Sequence, residues 1–241
     1  MYDLTTITPE ETTELGNAVS KLGSGAQSME EAANRIVSHL YDNLVEKESG
    51  QKSCALVRFY KSHPYGELDE RLQEFARAVL GAAPESPDMK CLTLLATVGE
   101  QPQWNSRANS AGHKAIPLAS EQVIASIPMI SRLVKQFGLE VSEVVKPEAA
   151  VIGDLAEKTF NTFYVQQVPG SQYIPAQDEF VVPFGIQSVL GFGGILTSGE
   201  LFVVIMFSKT PIPTHTAEHF RALAPKVKEA VLPFVGGKVF A

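Results

Sequence analysis

"PFGIQSVLGFGGILTSGELFVVIMFS", residues 183–208, sets two apolar runs on either side of a short glycine-marked break. The break is too short for a parallel crossover, so the two runs predict an antiparallel hairpin turning at "TSGE". The same stretch invites two catalytic readings, and neither fits. "GFGGIL", 191–196, has no lysine and hydroxyl residue after its glycines, as a phosphate loop requires. Leu196 stands where a dinucleotide loop needs its third glycine. The glycines read instead as points where backbone comes close to backbone.

Helical patterns flank this hairpin. Upstream, "TPEE" offers Thr8 as an N-cap with Glu11 three residues on, and Leu15, Val19 and Leu22 follow at helical spacing. "SMEE" repeats the signal with Ser28 and Glu31, and Met29, Ala33, Ile36, Leu40 and Leu44 line one face. Downstream, Phe220, Leu223, Val227, Val231 and Phe234 recur at steps of three or four, with Thr214 as the expected cap. Between these ends, "SCALVRFYK", "MKCLTLLATVG" and "TFNTFYVQQV" predict strands and "DERLQEFARAVLG" a helix capped by Asp69. "SEQVIASIPMISRLVKQFG" predicts a helix capped by Ser120 and kinked at Pro128, and "LEVSEVV" a short extended piece. Residues 100–118 lack any period and predict a loop. The order gives an α+β domain: a central antiparallel sheet with the terminal helices on one face, and loops and short helices over the other. Residues 1–26 read as an N-terminal helical arm and 27–241 as the main domain.

Composition narrows the function classes. The chain has 241 residues, 44% hydrophobic and 20% charged, enough for a core without disulfide or metal staples. A formal net charge of -7 argues against a general grip on nucleic acid or an anionic membrane. The longest apolar stretch is broken by glycines, Ser198 and Glu200, a poor membrane span. With two cysteines, Cys54 and Cys91, and no secretory leader in "MYDLTTITPEE", the expected setting is the reducing cytoplasm.

Strand alternation supplies the candidate site. In "CALVRFY", Cys54, Leu56, Arg58 and Tyr60 alternate onto one face; in "KCLTLLATV", Cys91, Thr93, Leu95 and Thr97 do so. Each strand then has an apolar side for the terminal helices and a mixed side, carrying Arg58, Tyr60, Cys91 and Thr93, turned to the loops. The long loop adds Trp104, the single tryptophan, with Asn105, Arg107 and His113, which could close over a planar or anionic ligand. The competing reading has Trp104 anchoring its loop to the core, so that the chain's own residues fill this face. "HTAEH", 215–219, matches the H-x-x-E-H zinc pattern, yet it lies in the first turn of a helix with no suitable third ligand downstream. No G-x-S-x-G elbow or other acid/base constellation points to catalysis.

The order of elements, the hairpin and the closing amphipathic helix resemble GAF domains, a bacterial sensory fold related to PAS. The resemblance rests on "SMEEAANRIVSHLYDNLVEKESGQKSCALVRFY", on the hairpin and on "HTAEHFRALAPKVKEAV", about two fifths of the chain. The middle stretch is similar to N-terminal sensory regions of bacterial hybrid histidine kinases. The resemblance implies a non-catalytic signalling domain that binds a small molecule of unknown identity beneath its loops and signals through its end helices. It also implies a homodimer and a histidine kinase or other signalling partner, reached either as part of a longer protein or by contact. The cysteine–histidine dipeptide of many bilin-binding members is missing, His113 is the one loop histidine that could meet a haem iron, and two cysteines are too few for a GAF-type sulfoxide reductase. The alternative expectation is a ligand-free dimerisation or interaction module; a metal-dependent hydrolase is the third.

Overall fold

In the computed structural model, Ser188–Ile195 (β5) and Leu201–Ser208 (β6) form the hairpin, from Ser188 opposite Ser208 to Ile195 opposite Leu201. The turn closes where Leu196 N–H donates to Glu200 O, with Gly199 at φ 85°, a conformation costly for any side chain. A Cβ on Gly193 would lie 2.1 Å from Phe202 O, and one on Gly194 2.2 Å from Thr159 O. These glycines serve close backbone approach. The structure describes residues 1–84, 86–145 and 149–241.

Four more strands complete one sheet: β1 (Cys54–Pro64), β2 (Lys90–Gly99), β3 (Ala115–Pro117) and β4 (Phe160–Val165). Their order is β3-β2-β1-β6-β5-β4, and every neighbouring pair is antiparallel. The fold is α+β, with the sheet between two helical layers.

On the first face lie α1 (Pro9–Val19), α2 (Met29–Asn43), α8 (Thr214–His219) and α9 (Leu223–Val231). The starts of α1 and α2 follow the sequence signals. Thr8 and Glu11 form a full capping box, and Ser28 accepts from Glu31 N–H. Their apolar stripes meet Val57, Phe59, Phe192, Phe202 and Val204 in one core. Residues 1–26 share that core through Leu4, Leu15 and Val19, and Tyr2 N–H donates to Asn43 O. A further helix, α3 (Glu70–Leu80), is capped by Asp69 and closed by Gly81, and it covers the β3 end of the sheet with Leu72 and Ala76.

The second face carries α4 (Glu121–Ala125), α5 (Pro128–Gln136), α6 (Val141–Val145), α7 (Ala149–Lys158) and a π-helical turn at Gln177–Val181. These elements bury Leu133, Phe137, Val144 and Val181 against Tyr60, Leu94, Val203, Ile205 and Phe207. α5 also closes the outer edge of β4: Tyr164 N–H donates to Gln136 Oε1, and Arg132 Nη2 donates to Tyr164 O. An edge held by side chains offers fewer free groups to another strand.

Several local expectations change. Pro128 does not kink a helix; it begins a new one, where its missing N–H costs nothing. "LEVSEVV" forms α6 rather than an extended piece. Val141, Val144 and Val145 keep the i, i+3, i+4 spacing of a helix, and Glu143 accepts from Glu140 N–H. Thr214 is the first helical residue, because the extended Pro213 takes the cap position. The 100–118 stretch is not wholly loop, since Ala115–Pro117 pairs with Cys91–Thr93 as an edge strand.

Candidate functional site

β1 and β2 carry the candidate residues, and two irregularities, one where β1 pairs with β2 and one where it pairs with β6, decide which way they point. Phe59 pairs with Ala96 but Tyr60 pairs with Leu94, leaving Leu95 as an extra residue. One extra residue reverses the alternation of everything beyond it. Cys91 and Thr93 therefore stand opposite His63 and Lys61, on the face away from Tyr60. The expectation that Arg58, Tyr60, Cys91 and Thr93 share one face is corrected: Arg58 and Tyr60 turn to the second face, Cys91 and Thr93 to the first. A similar shift between Cys54 and Leu56 puts Cys54 in the first core as well. Burial pushes the Cys54 and Cys91 thiols up to about 12, which keeps them protonated and poor nucleophiles.

On the second face, Arg58 is 9% exposed at mid-sheet. Its Nη1 donates to Tyr60 Oη at 3.1 Å and its Nη2 to Ser110 Oγ at 3.1 Å. Among the described residues it has no acidic partner, and its buried Nε has no acceptor. Thr97, directly opposite on β2, is 2% exposed, and its Oγ1 is likewise without a partner. Ser110 in turn donates to Gly112 O. His113 follows at φ 59°, the left-handed region that a non-glycine residue seldom occupies. Local crowding and the charge of Arg58 hold its imidazole below its ordinary pKa, although the residue as a whole is exposed.

Trp104 occupies the neighbouring ground. Its ring lies edge-on to Phe184 at 4.6 Å and to Phe180 at 5.6 Å, and Phe180 meets Phe207 at 5.1 Å. Gly99 makes room for it: a Cβ there would stand 2.8 Å from the indole. Asn105 is structural, since its Oδ1 accepts from Gly99 N–H and fixes the turn that positions Trp104. Arg107 leaves the group altogether. It pairs with Glu30 at 2.7 Å and stacks 5.0 Å from the Phe240 ring, on the side of α2 and the chain's end. The structure thus brings together Arg58, Tyr60, Thr97 and Ser110, with His113 near enough to feel the Arg58 charge, and sets Trp104 farther along the same face against Gly99. Ser110 carried no signal in the sequence beyond its place in the long loop.

A second polar group that sequence reading missed lies on the first face. Lys61 Nζ donates to Ser62 O at 3.0 Å and to His63 Nδ1 at 3.2 Å, with Glu200 at 3.8 Å. Burial pulls Lys61 down to about 8. Burial, and then the charges of Lys61 and Lys90, pull His63 down to about 3. Glu67 stands 3.4 Å from His63 Nε2, but its carboxylate is exposed and screened, so the downward causes prevail.

Two surface depressions lie elsewhere, one beside Thr12, Phe160 and Arg221, the other lined by Leu80, Met89, Leu118 and Val123; neither is lined by Arg58 or Tyr60. His215 and His219 sit 6.0 Å apart, ring to ring, and among the described residues no group of three metal-ligating side chains gathers. No helix among these residues is long and apolar enough to cross a membrane. No protein-family model matches the chain, and no curated protein matches it.

Proposed function

We propose that this chain is a non-catalytic interaction module of the signal-transduction kind, with both faces of its sheet closed by its own residues. The observation that carries this is the filling of the second face: Trp104 wedges against Gly99, Phe180 and Phe184 where a ligand chamber would have to open. The apolar stripes of α1, α2 and α9 are spent on the first core, so a partner, whether a second copy or a histidine kinase, meets their polar outer sides. The resemblance to GAF domains and the cytoplasmic setting belong to this proposal. Such a module signals by a partner's differing affinity for two arrangements of the end helices.

A second reading, the small-molecule sensor, is favoured by one feature, the buried Arg58 without a counter-charge. Because the chain's own residues fill this face, this reading admits only a small ligand that displaces one of them. Native mass spectrometry of the protein, after exposure to a broad metabolite set, reads ligand mass and subunit number together. The expected spectrum shows a dimer holding no nucleotide-sized or larger organic molecule. A stoichiometric ligand of that size would overturn the module reading.

A further inference from the structure

Arginine has five N–H donors and no acceptor, and a buried guanidinium is costly unless an anion and a full set of hydrogen bonds compensate it. Among the described residues, Arg58 meets only the neutral oxygens of Tyr60 and Ser110. Its Nε and Nη2 protons lie along one edge of the planar group, the edge that a carboxylate meets with two parallel hydrogen bonds. Ser110 Oγ takes Nη2 and leaves Nε free. The unpartnered Thr97 hydroxyl belongs to the residue paired with Arg58 on the adjacent strand, on the same face of the sheet, and is a donor for a third bond. These two orphaned groups come from different strands, and one acceptor of negative charge would satisfy both.

Residues 106–114 reach over this site through Ser110. They are held by the Ser110–Arg58 bond, by Lys114 Nζ donating to Ala108 O, by Leu94 N–H donating to Lys114 O and by the Arg107–Glu30 pair, and His113 holds a strained backbone among them. Strain of that kind persists only while surrounding contacts enforce it.

We propose that Arg58 and Thr97 form the floor of a binding site for a small carboxylate, that Ser110 occupies half of the guanidinium edge in the free protein, and that the 106–114 loop shifts when a carboxylate replaces it. This deepens the second reading above and supplies the ligand class it lacks.

Trp104, the one tryptophan, reports on the site, because it packs on Gly99, whose strand partner Leu56 lies two residues from Arg58. The full chain is titrated with sodium acetate, sodium phosphate and sodium chloride at matched ionic strength, following indole fluorescence. Acetate is expected to give a saturable change, phosphate a weaker one and chloride none. Ser110→Ala removes the competing hydroxyl and should tighten acetate binding several-fold, whereas a purely structural Ser110 would not. Arg58→Lys keeps the charge but loses the two-pronged edge and should weaken acetate by roughly tenfold or more. Should Arg58→Lys fail to fold, Ser110→Ala decides. No saturable response to acetate, tighter binding of phosphate, or an unchanged acetate affinity in Ser110→Ala would each overturn the proposal. None of these failures alters the metabolite spectrum expected of an interaction module, and a retained nucleotide-sized ligand would leave the acetate result standing.

Discussion

Acidification is expected to remove about 5 kcal/mol of folding stability through His63 alone as the pH falls from its ordinary 6.5 towards about 3. The sign follows from the direction of the shift. The folded protein holds His63 neutral while the unfolded chain protonates it, so stability is complete above about 6.5 and drains as pH drops through the folded value. The groups around the ring explain why it resists a proton: Lys61 on its own strand, Lys90 and Cys91 on β2, and Phe240 edge-on at 5.2 Å. Glu67 and, beyond Lys61, Glu200 are the carboxylates at hand. Lys61 behaves in the same sense at higher pH, adding about 3 kcal/mol as pH climbs from about 8 towards 10.5. Urea unfolding at a series of pH values checks both. A His63→Gln variant should flatten the acid limb, and a limb as steep as that of the unsubstituted protein would refute the assignment.

The second large effect sits in the hairpin. Gly193→Ala would drive a methyl to 2.1 Å from Phe202 O and 2.9 Å from Val203 Cα, both backbone atoms of a central strand. Neither can retreat without breaking the β5–β6 pairing. A loss of about 3 kcal/mol or more is expected, at the upper end for overpacking. Gly153→Ala is the control. It lies in α7, where an added methyl would meet nothing within 4 Å, and a gain of up to about 1 kcal/mol is expected from helix propensity. Chemical denaturation of the two variants side by side measures the contrast; equal effects would mean that close backbone approach is not what the glycines of β5 provide.

What could be read from the sequence was local. The hairpin, the caps at Thr8, Ser28, Asp69 and Ser120, and the helix stripes are set by near neighbours, and each forms as its residues predict. What could not be read depends on distant partners. The extra residue at Leu95 leaves no mark in a run of apolar side chains, yet it turns Cys91 and Thr93 away from Arg58. α6 was hidden by its valines, which suit a strand and a helix alike until Val144 finds the second core. Ser110 is one serine in a polar loop until the fold carries it across to Arg58, 52 residues away in the chain. Arg107 looked like a neighbour of Trp104 because it is close in sequence, but Glu30 and Phe240 claim it.

Closure of the second face by the chain itself is tested most directly by side-chain NMR on Trp104. Cross-relaxation from the indole to the ring of Phe184, 4.6 Å away, and to the Gly99 α-protons is predicted to be strong in the free protein. Missing cross-peaks at both, with Gly99 and Leu56 open to a soluble paramagnetic probe, would show an unfilled face and contradict the account.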